Sequence, residues 1–369
     1  MAMGKVSFIV IFILLAVIST AGAVTIENLK KLDISETDLW DHVLSPDGTK
    51  IAHIAYDTDR SQQIFVLNAD GTDKKKITND KLKKWGLAWG KDKMAYISLG
   101  TSGLEKIFVI NPDGTDNREL VIDNTRQGNF ERYMVAWAAP SWSPDGKSLV
   151  YTSLDEKAEP KIFIVNADGT GKKLVLNDGF KQWSPSFGPD GKNIVYVSYP
   201  EKKFKEELFT IDISGTRREQ ITFDEIKKNY PVWGPDNTIL FVSYDAVTSS
   251  GEKIFAIGQD RTRKLFVDSD YKQRSPSFSQ DRRKFSYAAI DVSGALKIAV
   301  GDVAGVALTV TTEPMTELPA AAATTGTAQK VEKPAKGGWG ILWTLFSILA
   351  IIVIILLALP AIKDFFKKK

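Results

Sequence analysis

The 369-residue sequence has no cysteine and only two histidines, His42 and His53. The first absence excludes disulfides, thiol catalysis and every cysteine-based zinc or iron–sulfur centre. The second argues against a histidine-rich metal site. Net charge is nearly missing too. The formal value is +3, but without the charges of the first 23 and last seven residues, 43 basic and 44 acidic residues remain. A body so balanced argues against nucleic acid as a partner. The catalytic patterns G-x-S-x-G, H-E-x-x-H, the P-loop and G-x-G-x-x-G are absent. No N-x-[ST] sequon occurs, so that form of N-glycosylation is not expected. No cofactor and no metal site is expected.

What is present is an ordinary globular composition, 43% hydrophobic and 25% charged, bracketed by two apolar segments. Residues 1–23 read as a secretory signal peptide: Lys5, a 13-residue apolar run from Val6 to Ile18, and the small-residue end Ala21-Gly22-Ala23. The run is shorter than the roughly 18–20 residues that cross a bilayer. Residues 339–362 differ. Ile341 to Leu359 is 19 residues without a charge, with Trp339 and Trp343 at its first edge. This reads as a transmembrane helix with an interfacial aromatic edge. The tail 363–369 carries Lys363, Lys367, Lys368 and Lys369 and is expected in the cytoplasm by the positive-inside rule. The expected location is the cell membrane, single-pass, with the body outside. Residues 313–338, rich in Thr, Ala, Pro and Gly, read as a flexible stalk, and residues 24–38 as a short lead segment.

Between them lies a repeat array. Ser45-Pro46-Asp47-Gly48 recurs as Ser143-Pro144-Asp145-Gly146, Gly188-Pro189-Asp190-Gly191 and Gly234-Pro235-Asp236-Asn237. Weaker copies are Gly90-Lys91-Asp92-Lys93 and Ser279-Gln280-Asp281-Arg282. The turn aspartates 47, 92, 145, 190, 236 and 281 are spaced 45, 53, 45, 46 and 45 residues apart. A second motif interleaves, Ile64-Phe65-Val66-Leu67-Asn68-Ala69-Asp70-Gly71-Thr72, with copies beginning at Ile107, Ile162, Leu208, Ile254 and, degenerate, Lys297. Proline presets φ, aspartate caps the turn and glycine takes the positive φ. β-Branched and aromatic residues fill the strands. Four short strands in about 45 residues is the period of a propeller blade. The expected fold is all-β: residues 39–312 form a six-bladed β-propeller of four-stranded antiparallel blades. Leu44, Trp89, Trp142, Phe187, Trp233 and Phe278 share one repeat position and are expected to pack between blades. The last blade is expected to supply its own outer strand at Val306–Val310, with Leu29–Ile34 as the competitor that would join the termini.

These turns and strands resemble the WD40-like (PD40-type) repeats of TolB-like six-bladed propellers over about residues 39 to 312. The resemblance implies the fold and, more loosely, a binding role. TolB carries an α/β domain before its propeller, whereas this chain has about 15 residues there. Similar repeats form the propellers of dipeptidyl-peptidase-like serine peptidases and of tricorn, which add a separate catalytic domain.

Seven residues before each turn aspartate stand Trp40, Trp85, Ala138, Trp183, Asn229 and Arg274, with Trp137 beside the third. These positions join the outer strand of one blade to the inner strand of the next. The same face receives an insertion: 32 residues separate Asp113 from Asp145, and the surplus lies within 124–139, containing Arg126, Phe130, Arg132 and Tyr133. Trp, Tyr and Arg are enriched at binding hot spots, and inserted loops on rigid scaffolds commonly recognise partners. Trp40, Trp85, Trp137, Trp183, Arg126, Phe130, Arg132, Tyr133 and Arg274 are therefore the candidate surface for an unidentified protein, peptide or glycan partner. The alternative is that the tryptophans only fill gaps between blades. His42 is expected to be structural or to line the channel. Asp57-Thr58-Asp59 and Asp268-Ser269-Asp270 are expected to be solvated turns. A non-enzymatic binding module is the leading reading. The alternatives are a lyase or hydrolase acting on a glycan or peptide at the channel mouth, and a structural component of a cell envelope or surface layer.

Overall fold

The computed structural model describes residues 25–32, 41–100, 103–120, 139–199, 205–244, 251–291 and 293–304. They fall within the unit Met1–Leu308; a second unit, Thr309–Lys369, lies outside the described residues, as do the expected signal peptide, stalk, membrane segment and basic tail. Among the described residues no helix is long and apolar enough to cross a membrane.

The described strands form six four-stranded antiparallel sheets. After β1 (Thr25–Leu32), blade 1 comprises β2 (Asp41–Leu44), β3 (Lys50–Tyr56), β4 (Gln62–Asn68) and β5 (Lys75–Lys76). Blade 2 comprises β6 (Lys84–Trp89), β7 (Met94–Leu99), β8 (Glu105–Ile110) and β9 (Arg118–Glu119). Blade 3 comprises β10 (Ser141–Trp142), β11 (Ser148–Leu154), β12 (Pro160–Asn166) and β13 (Lys173–Leu174). Blade 4 comprises β14 (Gln182–Phe187), β15 (Asn193–Ser198), β16 (Glu207–Asp212) and β17 (Glu219–Gln220). Blade 5 comprises β18 (Lys228–Trp233), β19 (Ile239–Tyr244), β20 (Glu252–Ile257) and β21 (Arg263–Leu265). Blade 6 comprises β22 (Lys272–Phe278), β23 (Lys284–Ile290) and β24 (Leu296–Ala304), and its fourth strand is β1.

The outer place in blade 6 therefore belongs to the N-terminal strand, not to Val306–Val310, which lies outside the described residues. β1 runs antiparallel to β24, from Thr25 opposite Ala304 to Leu32 opposite Ile298. The innermost strands pack in order around the ring, and β2 packs on β22 to close it.

The turn chemistry follows the motif. Asp47 Oδ1 accepts from the Ser45 hydroxyl (2.6 Å), the Thr49 amide (3.0 Å) and the Thr49 hydroxyl (2.8 Å), while Gly48 takes φ +69°. The glycine of the second turn has a further duty. A Cβ at Gly114 would lie 2.7 Å from the Ile77 carbonyl oxygen of the preceding blade. Gly169 and Gly215 approach the Leu120 and Val175 carbonyls in the same way.

The core consists of six apolar clusters, one in each seam between blades. Trp142, Phe187, Trp233, Phe278 and Leu44 lie in five different seams, as their shared repeat position predicts. The Trp233 Nε1 also donates to Ser186 O of blade 4 at 3.2 Å. Within blades, Tyr96 stacks on Phe108, Tyr151 faces Phe163, Tyr196 stacks on Phe209 and Phe241 stacks on Phe255 across the second and third strands. His53 occupies this position in blade 1, stacked on Phe65 at 5.4 Å.

A buried polar lock accompanies four seams. In two of them a lysine heads the inner strand of the following blade. Lys84 Nζ donates to Gln62 O (3.0 Å), Leu82 O (2.9 Å) and Asp80 (2.5 Å). Lys228 Nζ donates to Ile226 O (2.7 Å) and Asp224 and pairs with Glu207 at 3.0 Å. In the other two the lysine stands on the third strand of the preceding blade and a glutamine replaces it. Lys161 reaches Phe180 O and Lys253 reaches Tyr271 O (2.9 Å), while Gln182 and Gln273 accept from the Ile162 and Ile254 amides.

Leu32 is 2% exposed in the seam that β1 helps to close, against Leu44, Ile51, Leu67 and Ile298. Leu32→Ala is expected to cost about 2–4 kcal/mol, read from urea unfolding of the purified chain. Lys228 and Glu207 are both buried, with side chains 0% and 1% exposed. Lys228→Met strands the carboxylate and is expected to cost about 3 kcal/mol or more. Adding Glu207→Gln should recover part of that loss; a single mutant as stable as the parent would show that the pair holds nothing together.

Candidate functional site: the central channel

The innermost strands line a cavity of about 350 Å³ on the ring axis, within the size range of small-ligand sites. Its wall is set by an edge problem. The inner edge of each innermost strand has no fifth strand to pair with, so its amides need another partner. Pro140, Pro185, Pro231 and Pro276, which have no amide to satisfy, hold one repeat position. His42 and Leu87 take that position in the other two blades. Elsewhere a side chain of an adjacent blade caps the edge. Ser277 Oγ accepts from the Leu44 amide and Ser141 Oγ from the Phe187 amide, both at 3.1 Å. Asp41 Oδ2 accepts from the Leu87 amide at 2.9 Å.

One residue earlier, four inner strands bulge. Gly86, Ser184, Tyr230 and Ser275 take φ between +49° and +65°, and the pairing register shifts at each. Three of the four are not glycine, so strained backbone is gathered at one end of the channel.

Asp41 stands at the same repeat position in blade 1, partly open to the channel. Burial pushes its carboxyl up to about 6, against the backbone bonds from Leu87, His42 and Gly86 and a side-chain bond with Ser275. Such a value suits a general base, but the oxygens are already committed to these donors. Burial likewise raises the Tyr230 hydroxyl. His42 is pulled down to about 3 by burial and then by His53, so it is neutral. Its Nε2 lies 3.2 Å from Ser286 Oγ, but Ser286 is fully buried and His42 Nδ1 has no partner to orient it. This is not a nucleophile–base pair that a substrate can reach. At the opposite end Pro46, Pro144 and Pro189 meet Lys91, Gln280 and Arg282. Among the described residues Asp41 is the only carboxylate lining the cavity, and no group of three His, Asp or Glu is placed to hold a metal ion.

Of the sequence-predicted surface, Trp40, Trp137, Arg126, Phe130, Arg132 and Tyr133 lie outside the described residues. The three described members are not brought together. Trp85 is 8% exposed in the seam of blades 2 and 3, and Trp183 is 3% exposed in that of blades 4 and 5, edge-on to Tyr199. Both rings pack as core. Arg274 is exposed and pairs with Glu252. Asp57 caps its own turn, accepting from the Asp59 and Ser61 amides at 3.0 Å. Asp41, Gln280 and Arg282 were not among the sequence-derived site candidates, although the last two stand in the weak sixth copy of the turn. The signal for the last two was the departure of the sixth turn from Ser-Pro-Asp-Gly.

The raised carboxyl of Asp41 binds more protons in the folded chain than in the unfolded one. Its stabilising contribution is complete below the ordinary value near 3.8 and is lost as pH rises through about 6. Relative to the parent, Asp41→Asn should therefore gain roughly 1–3 kcal/mol between pH 4 and pH 7, read as the difference in unfolding midpoints. A difference independent of pH would contradict the assignment.

The family model described as the TolB beta propeller domain matches residues 123–320, more than half of the chain. No curated protein matches it. Among solved structures, TolB from Acinetobacter baumannii is 18% identical with a TM-score of 0.53, over 71% of this chain and 66% of that one. A protein described as TolB from Agrobacterium tumefaciens is 16% identical with a TM-score of 0.49, over 72% and 90%. The oligogalacturonate lyase of Vibrio parahaemolyticus is 12% identical with a TM-score of 0.48, over 76% and 98%. At these identities the likeness is one of fold. With six radial sheets turned on Ser-Pro-Asp-Gly motifs and their variants and a family match over more than half its length, the chain belongs to the TolB beta-propeller domain family.

Proposed function

We propose that the chain is a non-enzymatic propeller that binds a protein, peptide or glycan partner outside the membrane, to which residues 339–362 anchor it. The observation that carries this reading is the state of the channel wall. Among the described residues its one lining carboxylate has its oxygens occupied, its histidine is neutral and enclosed, its prolines remove amides from the strand edges, and Ser141 and Ser277 cap others. A wall built this way supports binding better than acid–base or nucleophilic chemistry. The TolB-type propeller supports a binding role as well. The proposed location rests on the sequence: the apolar run 341–359, its edge tryptophans and the lysines that follow. With Trp85 and Trp183 buried, the proposed partner surface centres on the insertion, with Arg126, Phe130, Arg132 and Tyr133.

Cross-linking in intact cells, followed by identification of co-purified proteins, tests the reading. The parent chain should remain with membranes after alkaline carbonate, be cut by protease added outside, and yield a reproducible partner. A chain ending at residue 338 should leave the membrane fraction. Replacing Arg126, Phe130, Arg132 and Tyr133 by Ala should abolish the cross-link without lowering the melting temperature. A propeller protected from external protease would refute the location, and an undiminished cross-link would refute the surface.

A further inference from the structure

The sixth turn keeps the skeleton of the motif and changes its two special positions. Ser279 Oγ still donates to Asp281 Oδ1 at 2.6 Å, and the Lys284 amide still donates to Ser279 Oγ at 2.9 Å. Where the first, third, fourth and fifth turns have Pro, this one has Gln280; where the first, third and fourth have Gly, it has Arg282. Arg282 adopts φ +61°, close to the +69° and +73° of Gly48 and Gly146. A side chain with a Cβ is strained there, and strain retained against an available glycine points to use of the side chain.

That side chain lines the channel. Its Nε is buried without a partner, and one terminal nitrogen makes only a long bond, 3.4 Å, to the Ser279 carbonyl of its own turn. Burial draws the guanidinium down to about 10, opposed by the adjacent Asp281. Asp281 is engaged elsewhere, by the Ser279 hydroxyl and the Arg283 amide. Among the described residues no carboxylate stands within ion-pair distance of Arg282. Lys91, which replaces proline in the second turn, lines the same cavity. Asp41, the sole lining carboxylate among the described residues, begins its strand at the other end. Gln280 crosses the ring beside Arg282. Its Nε2 donates to Pro144 O of blade 3 at 2.8 Å, and its amide donates to Pro46 O of blade 1 at 2.7 Å. This tie laces the turn end of the channel.

We propose that the turn end of the channel is a binding site for a small anion, a carboxylate or phosphate group, held by Arg282, with Lys91 lining the same cavity. A guanidinium with an unused, enclosed donor is suited to the paired oxygens of such a group. The site does not depend on where the protein resides or on the partner proposed for the insertion.

Calorimetric titration of the full chain at low salt with citrate and with inorganic phosphate tests it and separates the two chemistries, with glucose as the neutral comparison. One or both anions should bind with one-to-one stoichiometry, and glucose should not. Arg282→Gly should weaken binding at least tenfold while melting at the same or a higher temperature, because glycine relieves the backbone. Lys91→Ala should weaken binding less, and Lys264→Ala, on the outer strand β21, not at all. The proposal fails if Arg282→Gly binds as tightly as the parent, if Lys264→Ala matches its loss, or if the parent binds neither anion at millimolar concentration.

Discussion

Each blade buries its faces only against its two neighbours, so the ring depends on its last seam. That seam lies between blades 6 and 1: β1 pairs with β24 as the outer strand of blade 6, and its Leu32 packs among residues of blades 6 and 1. Six separate clusters replace one continuous core. An open seam would leave one cluster in water and two sheets each covered on a single face. Pairing the first described strand with the last ties this cost to the two ends of the described propeller rather than to any loop.

The channel wall answers a second constraint. Six inner edges converge where no further strand can pair with them, and each amide there needs a cap or must be absent. Proline, serine and one aspartate provide this. The chemistry visible in the channel is therefore largely structural, including the carboxylate whose affinity for protons at first suggests catalysis. What remains unspent is concentrated in the two turns that gave up proline, at Lys91 and at Arg282.

The turns and strands were legible because each local choice agrees with the fold: Pro and Gly at fixed offsets, and β-branched runs between them. Ring closure was not. β1 reads Thr-Ile-Glu-Asn-Leu-Lys-Lys-Leu and is mostly exposed, and an edge strand paired on one side carries no alternating apolar face to betray it. Trp85 and Trp183 read as surface hot spots because tryptophan is ambiguous between interface and core, and only the neighbouring blade decides. Lys84, Lys161, Lys228 and Lys253 were invisible for the opposite reason. Lysine reads as solvated, yet here carbonyls and carboxylates of the connecting segments enclose it.

Those lysines carry a consequence for the order of the repeats. The cation stands on the following blade at the seams marked by Lys84 and Lys228, and on the preceding blade at those marked by Lys161 and Lys253. Exchanging blades 4 and 5 would set Lys161 against Lys228 and leave Glu207 facing Gln273 with no ammonium between them. The modules look alike in sequence, but their flanks are keyed, so each admits only certain neighbours. Duplication can lengthen such an array freely on paper; in the folded molecule every new copy must first acquire the complementary flank.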